Sequence, residues 1–286
     1  MTSSIKIIYI DEGGFCFGVK NAIKIAEKNP NSIIIGGEII HNADESARLK
    51  NDFGITSQEN IENITCEQIA IIRAHGISKK LEQDLRDRGV VLKDATCPNV
   101  KKLHALVERL STDGYHIFLV GTANHPETIG ALGYASGAVT VIEKLADIEI
   151  AKVETDKIAI LAQTTANPGL FNSVCEQLRK KYNNIVINNT ICPAIGIVQK
   201  RTAELAKQIS NNGIFIVVGG KNSSNTKVLA QIASVHCKTY HIQTAEDLKS
   251  EWFENISICG LVAGSSTPNY VIQKVKVSID NLKGVR

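Results

Sequence analysis

The sequence predicts an α/β fold built from mostly parallel sheets. Short β-branched runs alternate with longer amphipathic stretches along almost the whole chain, which is the pattern of successive strand–helix units. The strand-like runs are continuously apolar, as expected for parallel strands covered on both faces. Turns rich in Gly, Cys and polar residues follow these runs. Because ligands bind at the carboxyl ends of strands in such sheets, we expect the functional residues in these turns.

The predicted strands and helices cover the chain in order. Strands are predicted within residues 5–10, 32–35, 68–72, 90–92, 116–120, 157–161, 185–187, 213–218 and 256–262. Helices are predicted within residues 19–28, 78–87, 100–110, 169–181, 194–210, 226–234 and 270–282. No linker, low-complexity tract or charge run marks a domain boundary between them.

Length and composition exclude several classes of protein. A chain of 286 residues corresponds to two or three domains. With 43% hydrophobic and 21% charged residues, the chain is not predominantly disordered. The net charge of +3, without a basic stripe, predicts no nucleic-acid partner. No apolar run reaches the roughly 18–20 residues of a membrane span, and no signal peptide is recognisable, so we expect a cytoplasmic protein.

Three of the seven cysteines share a context that indicates chemistry. Cys16, Cys97 and Cys192 each stand at a strand end, in a turn before a helix, and are separated by 81 and 95 residues. This spacing suggests one cysteine for each structural third. A helix N-terminus stabilises the thiolate form that binds metals. An odd number of cysteines without a secretion signal also favours a reducing compartment over a disulfide framework.

The ligand type alone leaves the identity of the metal open. Three thiolates suit an iron–sulfur cluster with one iron open to substrate, since such clusters usually have four cysteine ligands. Three cysteines with water or His would also suit zinc. Free cysteines are often simply small buried residues, and we interpret the other four in that way. Those four are Cys66, Cys175, Cys237 and Cys259.

Loop histidines and helix-start hydroxyls form a second group of candidates. Helix N-termini expose backbone N–H groups that favour an anion, although Ser, Thr and Asn there are also ordinary helix caps. Two such starts and three loop histidines together indicate a diphosphate site. The candidates are His41, His75, His125, Ser223, Ser224, Asn225, Ser266 and Thr267. Lys221 does not belong to a P-loop, because Phe215 and Asn222 break that pattern. The remaining histidines are interpreted as ordinary surface or core residues.

Glu127 follows His125-Pro126 at a predicted strand-to-helix junction. A carboxylate in the first turn of a helix is favourable on electrostatic grounds alone. The other interpretation is a general acid, with Thr164 or Thr165 orienting or relaying the proton. The residues alone do not separate the two interpretations.

In combination, the motifs closely resemble the LytB family, and the resemblance covers nearly the whole chain. The matching segments are Gly14–Val19, His41-Asn42, Ala74–Gly76, Asp94–Pro98, His125–Glu127, Gln163–Thr165, Ile191–Ala194, Lys221–Asn225 and Ala263–Pro268. Phe17 stands where the family usually has Ala, and Ser265 and Thr267 also differ from common family residues. These departures lie beside the positions expected to function, not at them.

The resemblance implies a fold and a cofactor. It implies three pseudo-symmetric α/β lobes in a trefoil-like arrangement around a central 4Fe–4S cluster, with lobes at residues 1–97, 98–192 and 193–286. Cys16, Cys97 and Cys192 would hold the cluster.

The resemblance also implies an activity and roles for the other candidates. Family members reductively dehydroxylate 4-hydroxy-3-methylbut-2-enyl diphosphate to isopentenyl and dimethylallyl diphosphate, the last step of the non-mevalonate isoprenoid pathway, with ferredoxin or flavodoxin as electron donor. Glu127 would deliver protons with Thr164 in the relay and His125 in the catalytic site. The substrate would contact His41, His75, His125, Thr164, Thr165, Ser223, Ser224, Asn225 and Ser266.

Two alternatives of other classes remain. A non-catalytic iron–sulfur sensor would need the three cysteines but not Glu127 or the diphosphate donors. A zinc hydrolase would use Cys and His ligands without sulfide. Metal and sulfide analysis separates the hydrolase from the reductase, and a turnover assay separates the sensor from it.

Overall fold

The computed structural model describes residues 5–40, 42–59 and 61–281. In these residues it contains twelve strands and ten α-helices. The strands are β1 (Lys6–Tyr9), β2 (Ile33–Ile35), β3 (Thr56–Gln58), β4 (Ile69–Ile72), β5 (Val91–Asp94), β6 (His116–Val120), β7 (Val139–Ile142), β8 (Lys157–Ala162), β9 (Asn184–Ile187), β10 (Gly213–Val218), β11 (Lys238–Ile242) and β12 (Ile258–Ala263). The helices are α1 (Phe17–Glu27), α2 (Ala43–Phe53), α3 (Lys79–Asp87), α4 (Pro98–Thr112), α5 (Pro126–Leu132), α6 (Asp147–Ile150), α7 (Pro168–Lys181), α8 (Pro193–Gln208), α9 (Ser224–Ser234) and α10 (Asn269–Asn281). Short 3₁₀ turns lie at Ile61–Asn63, Ala245–Asp247 and Ser250–Phe253.

The strands form three four-stranded sheets with one shared topology. The sheet orders are β3-β2-β4-β5, β7-β6-β8-β9 and β11-β10-β12-β1. Every recorded strand pair in these sheets is parallel. Each sheet therefore has the order 2-1-3-4, counted along its own segment, with β1 in the fourth position of the last sheet. The predicted α/β class with three parallel-sheet lobes is confirmed.

The first strand belongs to the sheet of the C-terminal segment. Lys6 of β1 lies opposite Ile258 and Tyr9 lies opposite Leu261. Two compact units result: one contains Met1–Phe17 and Pro193–Arg286, as far as these are described, and the other contains Gly18–Cys192 with the two remaining sheets. The predicted lobe boundaries at residues 97 and 192 stay a prediction. The pairing of β1 differs from a lobe that runs continuously over residues 1–97.

Helices cover both faces of the sheets, which explains the uninterrupted apolar strands. In β10, Ile214, Ile216 and Val218 pack in one core cluster with residues of α10. Phe215 and Val217, which alternate with them, pack on the opposite face against residues of α8 and α9. Each face of the strand is thus removed from water, and a polar residue at any of these positions would lose its hydration.

The sequence did not predict the strands β3, β7 and β11. Each of them occupies the second position of its segment and therefore an edge of its sheet. Edge strands have fewer apolar positions, and β3 reads Thr-Ser-Gln with two exposed residues. The helices α2 and α6 were also not predicted, and α5 was predicted only as a helix start at His125–Glu127. Helix α2 has clear end signals nonetheless: Asn42 accepts a hydrogen bond from the Glu45 amide at 2.9 Å, and Gly54 ends the helix at φ 68°.

Among the residues that the structure describes, no helix combines the length and the apolar character that crossing a membrane requires.

We predict that Gly260 is needed for packing of the C-terminal sheet. A Cβ atom at this position would lie 2.8 Å from two ring carbons of the buried Phe215 on the neighbouring strand. Gly260→Ala should therefore lower the free energy of unfolding by about 1–3 kcal/mol, the usual cost of overpacking. Denaturant unfolding measures this change.

Gly196→Ala provides a matched control in the same unit. A Cβ atom there meets nothing within 4 Å, and the residue lies in α8. Alanine is the better helix former, so this variant should be as stable as the original chain or more stable. Equal stability of the two variants would contradict the packing role of Gly260.

Candidate functional site

The candidate residues other than the cysteines follow the central strands of the sheets. In a 2-1-3-4 order, the crossover direction reverses between the first and third strands, and ligands bind beyond the carboxyl ends at that point. His75 follows β4, Thr164 follows β8, and Ser266 follows β12. His125 and Ser223 follow β6 and β10, the direct neighbours of β8 and β12. His41 lies outside the described residues.

Glu127 is buried and holds both carboxylate oxygens against Thr164. The Thr164 backbone N–H donates to Glu127 Oε1 at 2.6 Å, and the Thr164 hydroxyl donates to Oε2 at 2.7 Å. Glu127 is 2% exposed and Thr164 is 7% exposed. Glu127 lies in the first turn of α5, yet its side chain points into the protein. A carboxylate that only stabilised the helix end would be better hydrated if it pointed into solvent.

Burial raises the pKa of Glu127 from 4.5 to about 7. Loss of hydration is the dominant cause, because it disfavours the charged form, and the two hydrogen bonds from Thr164 oppose it. A carboxyl group with a pKa near neutral pH is half-protonated there and can both hold and release a proton. This environment favours the general-acid interpretation of Glu127 over a helix-end charge.

His125 is bonded to the backbone of Glu127, and its ring lies beside that of His75. The Glu127 backbone N–H donates to His125 Nδ1 at 3.2 Å, which makes His125 the N-cap of α5 and leaves its Nε2 as the nitrogen that carries a proton in the neutral ring. The His75 and His125 rings meet edge to face, with centroids 5.3 Å apart. The structure thus brings together His75, His125, Glu127 and Thr164.

Gln163 connects the two loops that bear these residues. It is 1% exposed, its Oε1 accepts from the Thr122 N–H at 3.0 Å, and its Nε2 donates to the Thr165 hydroxyl at 3.0 Å. Thr165 is therefore placed by Gln163, whereas Thr164 contacts Glu127 directly. This difference separates the two threonines that the sequence left undecided.

Cys97 and Cys192 belong to the same unit and are linked through Asn99. Cys97 is the N-cap of α4, with Pro98 in the first turn, and its N–H donates to the Ala74 carbonyl at 3.0 Å. The Cys192 N–H donates to the Thr164 carbonyl at 2.8 Å. The Asn99 side-chain amide donates to Cys192 Sγ at 3.1 Å. The helix that begins after Cys97 therefore contacts the second cysteine directly.

Cys16 lies in the other unit, beside the loop that follows β12. Its N–H donates to the Ser265 carbonyl at 3.2 Å, and the Gly14 N–H donates to the Ala263 carbonyl at 3.3 Å. The loop after β1 is thus paired to the loop after β12, as the strands themselves are. Cys16 consequently neighbours Ser266 in this unit.

The hydroxyl and amide donors of this unit lie in two adjacent loops with unused hydrogen-bonding capacity. Ser223 caps α9 by accepting from the Thr226 N–H at 3.3 Å. Gly219 brings the loops together at φ 153°, where a Cβ atom would lie 2.7 Å from Thr226 Oγ1. Among the described residues, Asn225 Oδ1 and Ser266 Oγ are buried and have no hydrogen-bond partner. Such groups normally have one, which favours a polar ligand at this place. Ser224 begins α9 beside them.

Two further residues support the site and were not predicted to do so. Arg73 is 8% exposed, donates to the Glu38 carbonyl at 3.2 Å, and lies against Gly36 and Gly37 in the loop before residue 41. Burial lowers its pKa. A charged residue at the end of the apolar run 69–72 is the signal that could have identified it.

His104 departs from its interpretation as an ordinary satisfied residue. Its ring stacks on Tyr134 with centroids 4.4 Å apart, and its Cε1 would lie 2.6 Å from a Cβ atom on Gly76, directly after His75. Its Nε2 is buried without a hydrogen-bond partner among the described residues. Burial lowers its pKa to about 4, so the ring is neutral at physiological pH. By contrast, His116 Nε2 is bonded to the Thr140 hydroxyl at 2.8 Å.

The cysteines, not a mixed group of metal-binding side chains, are the candidate ligands in this structure. Across the residues that the structure describes, no three His, Cys, Asp or Glu side chains are gathered as one metal ion would need. An iron–sulfur cluster would instead be held by cysteine thiolates. All seven cysteines lie in described residues and none of them forms a disulfide, and Cys16, Cys97 and Cys192 are partly accessible. Accessible thiols beside helix starts fit the ligand chemistry of an iron–sulfur cluster.

Comparisons with known proteins agree over nearly the full length. The family model described as LytB protein matches residues 7–280. The chain is 42% identical over 270 residues to 4-hydroxy-3-methylbut-2-enyl diphosphate reductase of Helicobacter pylori strain Shi470, covering 94% of this chain and 97% of the relative. It is 43% identical over 279 residues to the protein of the same name from Campylobacter hominis, covering 97% and 100%.

Two solved structures are also similar. One is (E)-4-hydroxy-3-methyl-but-2-enyl diphosphate reductase, described as the terminal enzyme of the non-mevalonate pathway, at 39% identity and a TM-score of 0.67, covering 97% of this chain and 99% of that chain. The other is the E-1-hydroxy-2-methyl-but-2-enyl-4-diphosphate reductase from Plasmodium falciparum, at 26% identity and a TM-score of 0.89, covering 96% and 87%. The chain belongs to the LytB protein family.

Proposed function

We propose that this protein is an iron–sulfur reductase that converts 4-hydroxy-3-methylbut-2-enyl diphosphate to isopentenyl and dimethylallyl diphosphate. The observation that carries the proposal is the buried Glu127–Thr164 pair, in which Thr164 also accepts a hydrogen bond from the Cys192 backbone. Thr164 thereby connects the carboxyl group of Glu127, which can hold a proton, with Cys192, a candidate cluster ligand. The names of the similar proteins in this family support the same activity.

We assign Cys16, Cys97 and Cys192 as the ligands of one 4Fe–4S cluster. When bound, such a cluster supplies electrons and one iron without a protein ligand, which can act as a Lewis acid. The chemistry of the three accessible thiols supports this assignment. The family resemblance supports the same three residues.

Glu127 holds the proton that the departing oxygen needs. In the overall reaction the allylic C–O bond breaks, two electrons and two protons are taken up, and the oxygen leaves as water. Hydroxide is a poor leaving group, so protonation of the oxygen lowers the barrier. With a pKa of about 7, Glu127 is protonated often enough to act at neutral pH. The Thr164 hydroxyl keeps the carboxyl group in one orientation and is the next group in the proton relay.

The diphosphate is held by histidine, threonine, serine and asparagine side chains. We propose contacts from His41, His75, His125, Thr164, Thr165, Ser223, Ser224, Asn225 and Ser266, of which Ser266 has a hydroxyl without a hydrogen-bond partner among the described residues. The N-terminus of α9 adds backbone N–H groups that favour an anion. Anchoring the diphosphate makes bond cleavage an effectively unimolecular, positioned step.

Electron delivery and location follow from the resemblance. We propose ferredoxin or flavodoxin as the electron donor and the cytoplasm as the compartment. The lack of a disulfide among the seven cysteines, all of which lie in described residues, is compatible with a reducing compartment. We assign no nucleic-acid partner, in keeping with the net charge of +3.

The first test combines purification and turnover. Anaerobically purified protein should contain iron and sulfide and should reduce the hydroxylated diphosphate with dithionite as electron source. Cys16→Ala, Cys97→Ala and Cys192→Ala should each lose the brown cluster and the activity, because each removes one of only three protein ligands.

Cys66→Ala is the matched control, since Cys66 is exposed and outside the candidate site. It should retain both cluster and turnover. A variant of any of the three assigned cysteines that keeps both would refute its assignment. Zinc without sulfide would favour a hydrolase, and a cluster without turnover would favour a sensor.

For the acid, Glu127→Gln should keep the cluster and bind substrate but lose most turnover, roughly 10²-fold or more, as expected when a general acid is removed. Glutamine keeps the shape of the glutamate side chain. Its amide can still form hydrogen bonds with the backbone N–H and the hydroxyl of Thr164. Single-turnover kinetics and substrate-binding titration measure the two effects. Wild-type turnover in this variant would remove Glu127 from the mechanism.

The same variant should change the pH dependence of stability. The folded chain holds the Glu127 proton up to about pH 7, whereas an unfolded chain releases it near 4.5. Between these values the folded state binds more protons, so the free energy of unfolding falls as pH rises, on the order of 1.4 kcal/mol per pH unit. In Glu127→Gln this contribution is absent. Denaturant unfolding at pH 5, 6 and 7 should therefore show the variant gaining stability relative to wild type with each step, and parallel curves would contradict the raised pKa.

For the diphosphate site, Ser266→Ala should weaken binding of substrate and of inorganic pyrophosphate about tenfold or more. A hydrogen bond to a charged group contributes about 1.5–3 kcal/mol. Calorimetric titration with pyrophosphate measures this loss. Ser234→Ala is the control, because Ser234 is exposed and donates only to the Gln231 carbonyl at 2.8 Å within α9. Equal affinities of the two variants would exclude Ser266 from the site.

A further inference from the structure

We propose that Asn99 is a positioning residue that raises the reduction potential of the cluster through its hydrogen bond to Cys192. The inference rests on the proposed function, since it requires Cys192 to be a cluster ligand. Its basis is one contact: the Asn99 side-chain amide donates to Cys192 Sγ at 3.1 Å, between residues 93 positions apart in the chain.

Both partners of this bond are fixed by the backbone around them. Asn99 is the second residue of α4, behind the N-cap Cys97 and Pro98, and the Lys101 N–H closes the first turn on the Cys97 carbonyl at 3.0 Å. Cys192 is held by its own N–H, which donates to the Thr164 carbonyl at 2.8 Å. The amide therefore points at the sulfur from a helix start, not from a freely moving loop.

The charge of the neighbouring Lys101 does not replace the effect of the Asn99 amide on the Cys192 sulfur. Lys101, in the same turn of α4, is paired with Asp94 at 2.5 Å, so its positive charge is compensated locally. Asn99 and Cys192 are both partly buried, and an N–H dipole acts more strongly there than in open water. Asn99 has no charge, so its effect depends on the orientation of this hydrogen bond.

The direction of the effect follows from the charge of the cluster. Reduction adds an electron, and part of the added negative charge resides on the thiolate sulfurs. An N–H donor stabilises that charge, so it stabilises the reduced form more than the oxidised form. Loss of the donor should therefore lower the reduction potential. The electrons still come from the external donor, and Asn99 changes only how readily the cluster accepts them.

The test is a redox titration of the anaerobically purified, cluster-loaded protein, followed by electron paramagnetic resonance. Asn99→Leu keeps the size and removes the donor. Asn99→Asp keeps the shape, removes the donor and adds a negative charge. The equilibrium constant for reduction should fall several-fold in Asn99→Leu and more in Asn99→Asp, and a tenfold fall is about 59 mV for a one-electron couple.

Asn183→Leu is the matched control, because it makes the same change at an exposed position of the same unit. Its potential should equal that of the wild type, and iron content should be equal in all loaded samples. Unchanged potentials in both Asn99 variants would overturn the inference and leave the proposed function intact. Loss of the cluster from both folded variants would also overturn a tuning role. Absence of a cluster from the wild-type protein would instead overturn the proposed function together with the inference.

Discussion

Parallel pairing is the constraint on which the positions of the candidate residues depend. Since neighbouring strands run in the same direction, all strands of one sheet end at the same edge, and every helix that returns from that edge begins there. Side chains of the residues just after the strands and backbone N–H groups at the helix N-termini therefore lie at the same edge of the sheet. Cys97, Cys192 and Cys16 each follow the fourth strand of a sheet with the same 2-1-3-4 order. The repetition of one topology places one thiol at the same point of each sheet.

Glu127 shows how the same scaffold supports a costly group. A buried carboxyl group without partners is unfavourable, and Thr164 compensates part of this cost with two short hydrogen bonds. The compensation is incomplete, and the remaining cost is the reason for the raised pKa. A more complete set of donors would stabilise the carboxylate and remove its ability to hold a proton. The protein thus accepts a local loss of stability at a buried carboxyl group with a raised pKa, a feature that is common at functional sites.

The sequence predicted the features that depend on local chemistry and missed those that depend on neighbours. Central strands such as β6 and β10 are apolar on both faces and were recognisable. The edge strands β3, β7 and β11 are short or mixed in polarity and gain their structure from the adjacent strand. Likewise, Glu127 and Thr164 were recognisable as candidates, but burial decides the pKa of Glu127 and no local pattern encodes it. The contact of Asn99 with Cys192 joins residues 93 positions apart and could not be read from either segment.

The pairing of β1 with β12 has a consequence for synthesis on the ribosome. β1 is synthesised before the other strands, but β12, with which it pairs in the described part of the chain, begins at Ile258. The segment Gly18–Cys192, which contains two complete sheets, can fold before β12 is available to pair with β1. Pairing over such a sequence separation is slow to form. The loop with Cys16 thus reaches its final place only after β12 has been synthesised, whereas Cys97 and Cys192 belong to the unit that can fold before that point.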